Sequence, residues 1–278
     1  MNLFFVCGAP KSGTTWLQRI FDAHPEVRCS GEGHFISRFS APMSKVINVY
    51  NRGVTLEAEQ VYEGRPYYAG IDQAEFDDMV RAFVLKRLSA RADAETRWIG
   101  DKTPNYTHYL PQLHRLFPAA KVIHIVRDPR DVAVSRMAHN HRAGHSEVFT
   151  PGAEQHRLTV ESAVQLWIEA VTMVDAFAQA RPTLVHELCY RDLHDDPVGA
   201  TERLFRFLGA PAEPVLIQRI VAATSFETMT GRKPGEEDPS SFLRKGVVGD
   251  WKTRLDAESA RIISESCGEL MRQKRLAA

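Results

Sequence analysis

The sequence predicts an α/β fold, with a central parallel sheet flanked by helices on both faces. Three observations lead there. Residues 2–7 form a short β-branched and aromatic run, Asn-Leu-Phe-Phe-Val-Cys, which reads as a buried strand. Similar runs recur at residues 121–127 and 183–188, with a shorter one at 97–100. Helical patterns separate these runs, as crossover connections between parallel strands require.

Taken in order, the first strand runs into Gly8-Ala9-Pro10-Lys11-Ser12-Gly13, and residues 14–23 have helical character. Residues 28–70 hold Pro42, Gly53, Gly64 and Pro66 and are expected to be irregular. Phe76, Met79, Val80, Phe83, Val84 and Leu88 fall at helical spacing within residues 73–92. A helix over 106–117 lies between the strand at 97–100 and the strong strand with Val122, Ile123, Ile125 and Val126. Another helix begins in 131–137, a flexible loop is expected at 139–157, and 160–180 is a long amphipathic helix. After the strand at 183–188 come a helix over 197–208 ended by Gly209, a helix over 215–223, a polar loop over 224–250, and a closing helix over 256–272. Without an internal repeat or linker, residues 1–278 read as a single domain.

Composition excludes some roles. The 278 residues carry 35 Lys+Arg and 35 Asp+Glu, a formal net charge of zero, which argues against a nucleic-acid partner but permits a local anion site. No apolar run approaches the ~18 residues of a membrane span, and the run at residues 3–7 is too short for a signal-peptide core. Cys7, Cys29, Cys189 and Cys267 show no metal-like or CxxC spacing, so free thiols and a cytoplasmic location are expected.

Three segments have the chemistry of anion sites. Gly8 through Thr15 lies between a strand and a helix, where inward-turned backbone N–H groups and the helix N-terminus favour a phosphate-like group. The two glycines have the separation of a Walker A loop, but Thr14 stands at the lysine position and the lysine comes earlier, at Lys11. Arg127 sits at a strand's carboxyl end with Ser135 two helical turns beyond, a pair that can share one phosphate; a helix-capping Arg-Asp-Pro turn is the alternative. Arg244-Lys245-Gly246, followed by Gly249-Asp250-Trp251-Lys252, suits a mobile flap over an anion, although alone it also reads as an exposed basic turn.

Together these segments closely resemble the signatures of sulfotransferases that use 3′-phosphoadenosine 5′-phosphosulfate (PAPS). The likeness extends through Tyr190-Arg191-Asp192-Leu193, Asp196-Pro197, Phe207-Leu208-Gly209 and Thr224 to Met229, in the family's order. It implies a P-loop-like three-layer fold and transfer of a sulfuryl group to a hydroxyl acceptor, with PAP as the nucleotide product and no metal required. Lys11, Ser12, Gly13, Thr14 and Thr15 would hold the 5′-phosphosulfate. Trp16 would stack on adenine with Tyr190 and Thr224 beside it, and Arg127, Ser135, Arg244, Lys245 and Gly246 would hold the 3′-phosphate. A P-loop-type small-molecule kinase and a catalytically silent nucleotide-binding protein are the competing readings.

The catalytic segments resemble the carbohydrate-modifying branch. Asp101-Lys102-Thr103-Pro104 has proline where the phenol and steroid branch carries its histidine base. Glu32, His34 and Phe35 match the carbohydrate branch's glutamate-base segment, with Gly33 in place of its proline and Ser37 in place of its aspartate. The resemblance implies Glu32 as general base, with His34 as the alternative, and Lys11 and Lys102 as stabilisers of developing charge. The flap resembles the cytosolic phenol and steroid branch instead. The acceptor, a small molecule or saccharide, and the oligomeric state stay open; residues 38–68 and 139–157 are expected to shape the acceptor pocket. His139, His141 and His145 do not have metal-ligand spacing and read as part of a solvated loop.

Overall fold

A computed structural model describes residues 1–276. Strands β1 (Asn2–Cys7), β2 (Val27–Gly31), β3 (Trp98–Lys102), β4 (Lys121–Val126) and β5 (Val185–Cys189) form one sheet in the order β2-β3-β1-β4-β5. Every pairing is parallel, and Val6 of β1 faces Lys102 on one side and Ile123 on the other. The helices are α1 (Thr14–Asp22), α2 (Ala41–Gln60), α3 (Gln73–Leu88), α4 (Leu110–Leu116), α5 (Pro129–Arg142) and α6 (Glu154–Ala180). They continue with α7 (Asp192–Asp195), α8 (Pro197–Leu208), α9 (Pro214–Ala223), α10 (Phe226–Thr230), α11 (Trp251–Arg254) and α12 (Ala257–Gln273).

Strand periodicity divides β1 between two cores. Phe4 and Val6 pack with α1, α8 and α9, whereas Phe5 and Cys7 pack with α3, α4 and α6. A third cluster joins α5, α6 and α12 around Trp167, whose side chain is fully buried. The chain leaves β1 toward β2 on one side and leaves β4 toward β5 on the other. The carboxyl ends of β1 and β4 therefore flank the point where the winding reverses, which is where open α/β sheets bind ligands.

Three expected loops contain regular structure. Residues 28–70 hold β2, a wide helical turn at Phe35–Ser40, and the 20-residue α2. Pro42 lies in the first helical turn, where its missing N–H costs nothing, and only Ala58 of α2 is buried. A helix that buries so little leaves no apolar stripe to read. Likewise α5 runs on to Arg142, the chain then forms a short turn at Ser146–Phe149, and α6 starts at Glu154. His139 and His141 are thus helical rather than looped, and Gly144, with φ 97°, marks the stop. The polar loop over 224–250 includes α10.

Candidate active site

The loop between β1 and α1 bends at two left-handed positions, Lys11 (φ 78°) and Gly13 (φ 104°). Ser12 N donates to the Ala9 carbonyl at 3.1 Å, and Gly13 is the residue preceding the first turn of α1. A Cβ on Gly13 would stand 2.6 Å from the Tyr190 ring. Gly13→Ala is therefore expected to destabilise the fold by about 1–3 kcal/mol, read by urea unfolding, because strain and overlap coincide.

The second wall is made where β3 and β2 end side by side. Glu32 N donates to the Lys102 carbonyl at 2.8 Å, extending the pairing by one residue past the strand. The chain then turns sharply, with Glu32 (φ 24°) and His34 (φ 48°) both left-handed. Asp101 fixes that turn: it is buried and accepts from Gly33 N at 3.1 Å, Thr103 Oγ1 at 2.7 Å and Tyr106 Oη at 2.8 Å. Burial pushes its pKa up, and the Thr103, Tyr106 and Gly33 donors pull against that. Ser37 stands where the resembled carbohydrate branch has aspartate, and in this fold Asp101 of β3 supports the turn. Asp101→Ala is expected to cost at least about 2 kcal/mol of stability in urea unfolding, since it orphans three donors.

On this turn the Glu32 carboxylate accepts from Lys102 Nζ at 2.8 Å through one oxygen and lies 3.3 Å from His34 Nε2 through the other. Lys102 is buried, with 4% of its side chain exposed, whereas Glu32 retains 48%. Burial raises the Glu32 pKa, but the hydrogen bond and charge of Lys102, with His34 assisting, outweigh it and hold the carboxyl below its usual range. Glu32 is therefore an ionised, accessible carboxylate at neutral pH. Lys11 faces the same space with its ammonium 4.7 Å from the Phe242 ring centre. Burial first, and the charges of Arg142, Arg127 and Arg136, lower its pKa to about 8, with Glu32 opposing.

The third wall is cationic. Arg127, just past β4, donates to the Lys11 carbonyl at 3.3 Å and to the Val247 carbonyl at 3.2 Å, and its guanidinium lies 4.3 Å over the Tyr190 ring. Its own carbonyl accepts from the Trp167 indole at 2.8 Å, which ties it to the core. The flap is docked by Asp131, which accepts from Gly249 N at 2.8 Å and Trp251 N at 3.1 Å. Arg130 stacks on Trp251 at 3.9 Å. Within the flap, Lys245 pairs with the buried Asp250 at 2.6 Å, and Arg244 pairs with Glu237 at 2.7 Å and also with Asp250.

These walls enclose a cleft of about 440 Å³ lined by Lys11, Gly13, Thr14, Thr15, Trp16, Glu32, His34, Arg127, Ser135, Tyr190, Arg244, Lys245 and Gly246. Three of the expected site residues do not line it. Lys102 lies behind Glu32, and Ser12 is buried within its loop. The Thr224 hydroxyl bonds back to the Ile220 carbonyl at 2.8 Å, while its carbonyl accepts from the Trp16 indole at 2.9 Å. Thr224 thus fixes Trp16 rather than facing a ligand. Trp16 meets Tyr190 and His194 edge-on, at 5.7 and 5.0 Å.

A multiply phosphorylated nucleotide fits this chemistry. Lys11, Arg127, Arg244 and Lys245 line the cleft with one acid, Glu32, and Ser12 Oγ and Arg127 Nε are buried without a hydrogen-bond partner. Sequence reading missed Asp101 and Asp131 as supports, and Arg136, His194 and Phe242 as cleft residues; His139 lines the cleft from within the segment expected to shape the acceptor pocket. Asp131 carries a signal only in its place at the first turn of a helix; its two backbone partners come from residues more than a hundred positions away. Among the described residues no three His, Cys, Asp or Glu side chains gather as metal ligands.

Comparison with known proteins agrees with this geometry. A Caenorhabditis briggsae protein, provisionally named a protein-tyrosine sulfotransferase, is 34% identical over 209 residues, covering 74% of this chain and 65% of that protein. The cytosolic sulfotransferase 17 of Arabidopsis thaliana is 24% identical over 291 residues, covering 92% and 70%. The chain spans smaller shares, 26% and 32%, of two other curated relatives it matches. The crystal structure of a mouse sulfotransferase complexed with PAP shares the fold, with a TM-score of 0.61 at 21% identity, covering 98% of this chain and 84% of that one. The sequence profile of the sulfotransferase family matches residues 4–214, three-quarters of the chain, which ends before the flap begins; the chain belongs to the sulfotransferase family.

Proposed function

We propose that residues 1–278 act as a single PAPS-dependent sulfotransferase domain that transfers a sulfuryl group to a hydroxyl acceptor. The observation that carries this reading is the Glu32 carboxylate, held at 2.8 Å by the buried Lys102 and open to the cleft that Lys11 also lines. When bound, the donor supplies an electrophilic sulfur attached to a phosphate leaving group. Lys11, Gly13, Thr14 and Thr15 hold the 5′ end, Arg127, Ser135, Arg244, Lys245 and Gly246 the 3′-phosphate, and Trp16 and Tyr190 flank the base. Glu32 takes the proton from the acceptor hydroxyl as its oxygen attacks. Lys11 stabilises negative charge growing on the leaving oxygen, and Lys102 keeps Glu32 ionised and oriented. The relatives' names support a phenolic hydroxyl as one acceptor class beside saccharides. Four unpaired cysteines, three of them buried, support a reducing, cytoplasmic setting.

The discriminating experiment is calorimetric titration with PAP and with ADP. PAP should bind at least about tenfold more tightly, because only PAP presents a 3′-phosphate to Arg127 and the flap. A preference for ADP would favour the kinase reading. PAP binding without transfer to any member of a broad acceptor library, followed by mass spectrometry, would favour the silent protein.

A further inference from the structure

One face of α5 is cationic beyond what the nucleotide reading uses. Arg136, His139 and Arg142 follow at i, i+3 and i+6 along the helix, so each neighbours the next. Arg136 and His139 line the cleft together with Lys11 and Glu32. Arg142, at the last turn, lies beside His139, its guanidinium 3.4 Å from His139 Nδ1. Among the described residues neither Arg136 nor Arg142 meets a carboxylate, and Arg136 Nε is buried with no hydrogen-bond partner. The flap differs: Arg244 and Lys245 are already paired with Asp250 and Glu237.

Arg136 and His139 share the cleft with Lys11 and Glu32, the groups at its transfer end. Arg142 and Arg136 both depress the Lys11 pKa, and Lys11, Arg142 and Arg136 add to the burial that depresses His139. Partly buried guanidinium groups without counter-ions are costly to the fold. They become favourable when a ligand brings the missing negative charge.

We infer that Arg136, His139 and Arg142 form an anion subsite for the acceptor, so that the accepted hydroxyl belongs to a small molecule carrying a carboxylate or similar anion nearby. This rests on the sulfotransfer reading and narrows its acceptor class. The subsite orients the acceptor so that its hydroxyl meets Glu32 while its anion replaces water at α5.

The test uses matched neutral and anionic pairs on PAP-saturated protein: 4-hydroxyphenylacetamide against 4-hydroxyphenylacetate, and glucose against glucuronate. Binding is read by ligand-observed NMR and transfer from PAPS by mass spectrometry. The anionic member of at least one pair should bind about tenfold or more tightly. In the Arg136→Gln/Arg142→Gln double variant that ratio should fall toward one, with PAP affinity within about threefold of wild type. Equal binding of both members, or no binding by either anion at millimolar concentration, overturns the subsite. So does a variant that loses PAP affinity while keeping the ratio, which would assign these arginines to the nucleotide. Failure of the wild-type protein to bind PAP would instead overturn the sulfotransfer reading itself. Thermal unfolding of the double variant checks that it is folded, and single Arg142→Gln at the more exposed end gives a second, milder readout of the same ratio.

Discussion

Replacing Glu32 with glutamine should lower kcat by about 10²–10⁴-fold, the usual effect of removing a positioned general base. PAP affinity should barely change, because Glu32 touches Lys102 and His34 rather than the cationic wall. The amide can still accept from Lys102 Nζ but no longer balances its buried charge, so a fall in unfolding temperature is also expected. The pH profile tests Glu32 as the base. With Lys102 and His34 holding the Glu32 carboxyl below its usual range, protonation silences it only in acid, and kcat/KM should stay level from neutrality down past the ordinary carboxylate range. Full turnover in Glu32→Gln, with loss in His34→Asn, would transfer the role to His34.

Lys11→Met should cost about 10²–10³-fold in kcat/KM through loss of charge stabilisation at the leaving oxygen. Here too the pH dependence has a definite sign. The pKa of Lys11 is lowered to about 8, chiefly by burial, so the amine is charged below that pH and neutral above it. Wild-type kcat/KM should therefore decline above about pH 8, whereas the residual activity of Lys11→Met should show no such limb. Persistence of the alkaline limb in the variant would assign it to another group.

Much of the fold was legible because buried strands and amphipathic helices leave periodic marks. Residues 2–7, 121–127, 183–188 and 197–208 each appear as regular elements within a residue or two of the expected bounds. The two misread helices share one cause, while β2 is a five-residue edge strand too short to stand out. Helix α2 buries a single residue, and the last turn of α5 is polar, so neither carries a hydrophobic period. Most of residues 28–70 and the start of 139–157 looked irregular for that reason.

The sequence by itself determined four of the five strands, most of the longer helices and the lysine-shifted anion loop, each from local chemistry: glycines that permit a loop, a strand's apolar run, a charged residue at an element's end. Its family resemblance supplied Glu32 and Lys102. Tertiary structure decided which of those positions meet. Glu32 and Lys102 lie 70 positions apart and pair because β2 lies parallel to β3, with Gly31 opposite Lys102. Asp101 supports the Glu32 turn, and Thr224 faces Trp16 rather than the cleft, for reasons of register and burial that no local pattern encodes. The cationic face of α5 became visible only when a helix replaced the expected loop, because the 3.6-residue period aligns Arg136, His139 and Arg142 on one side.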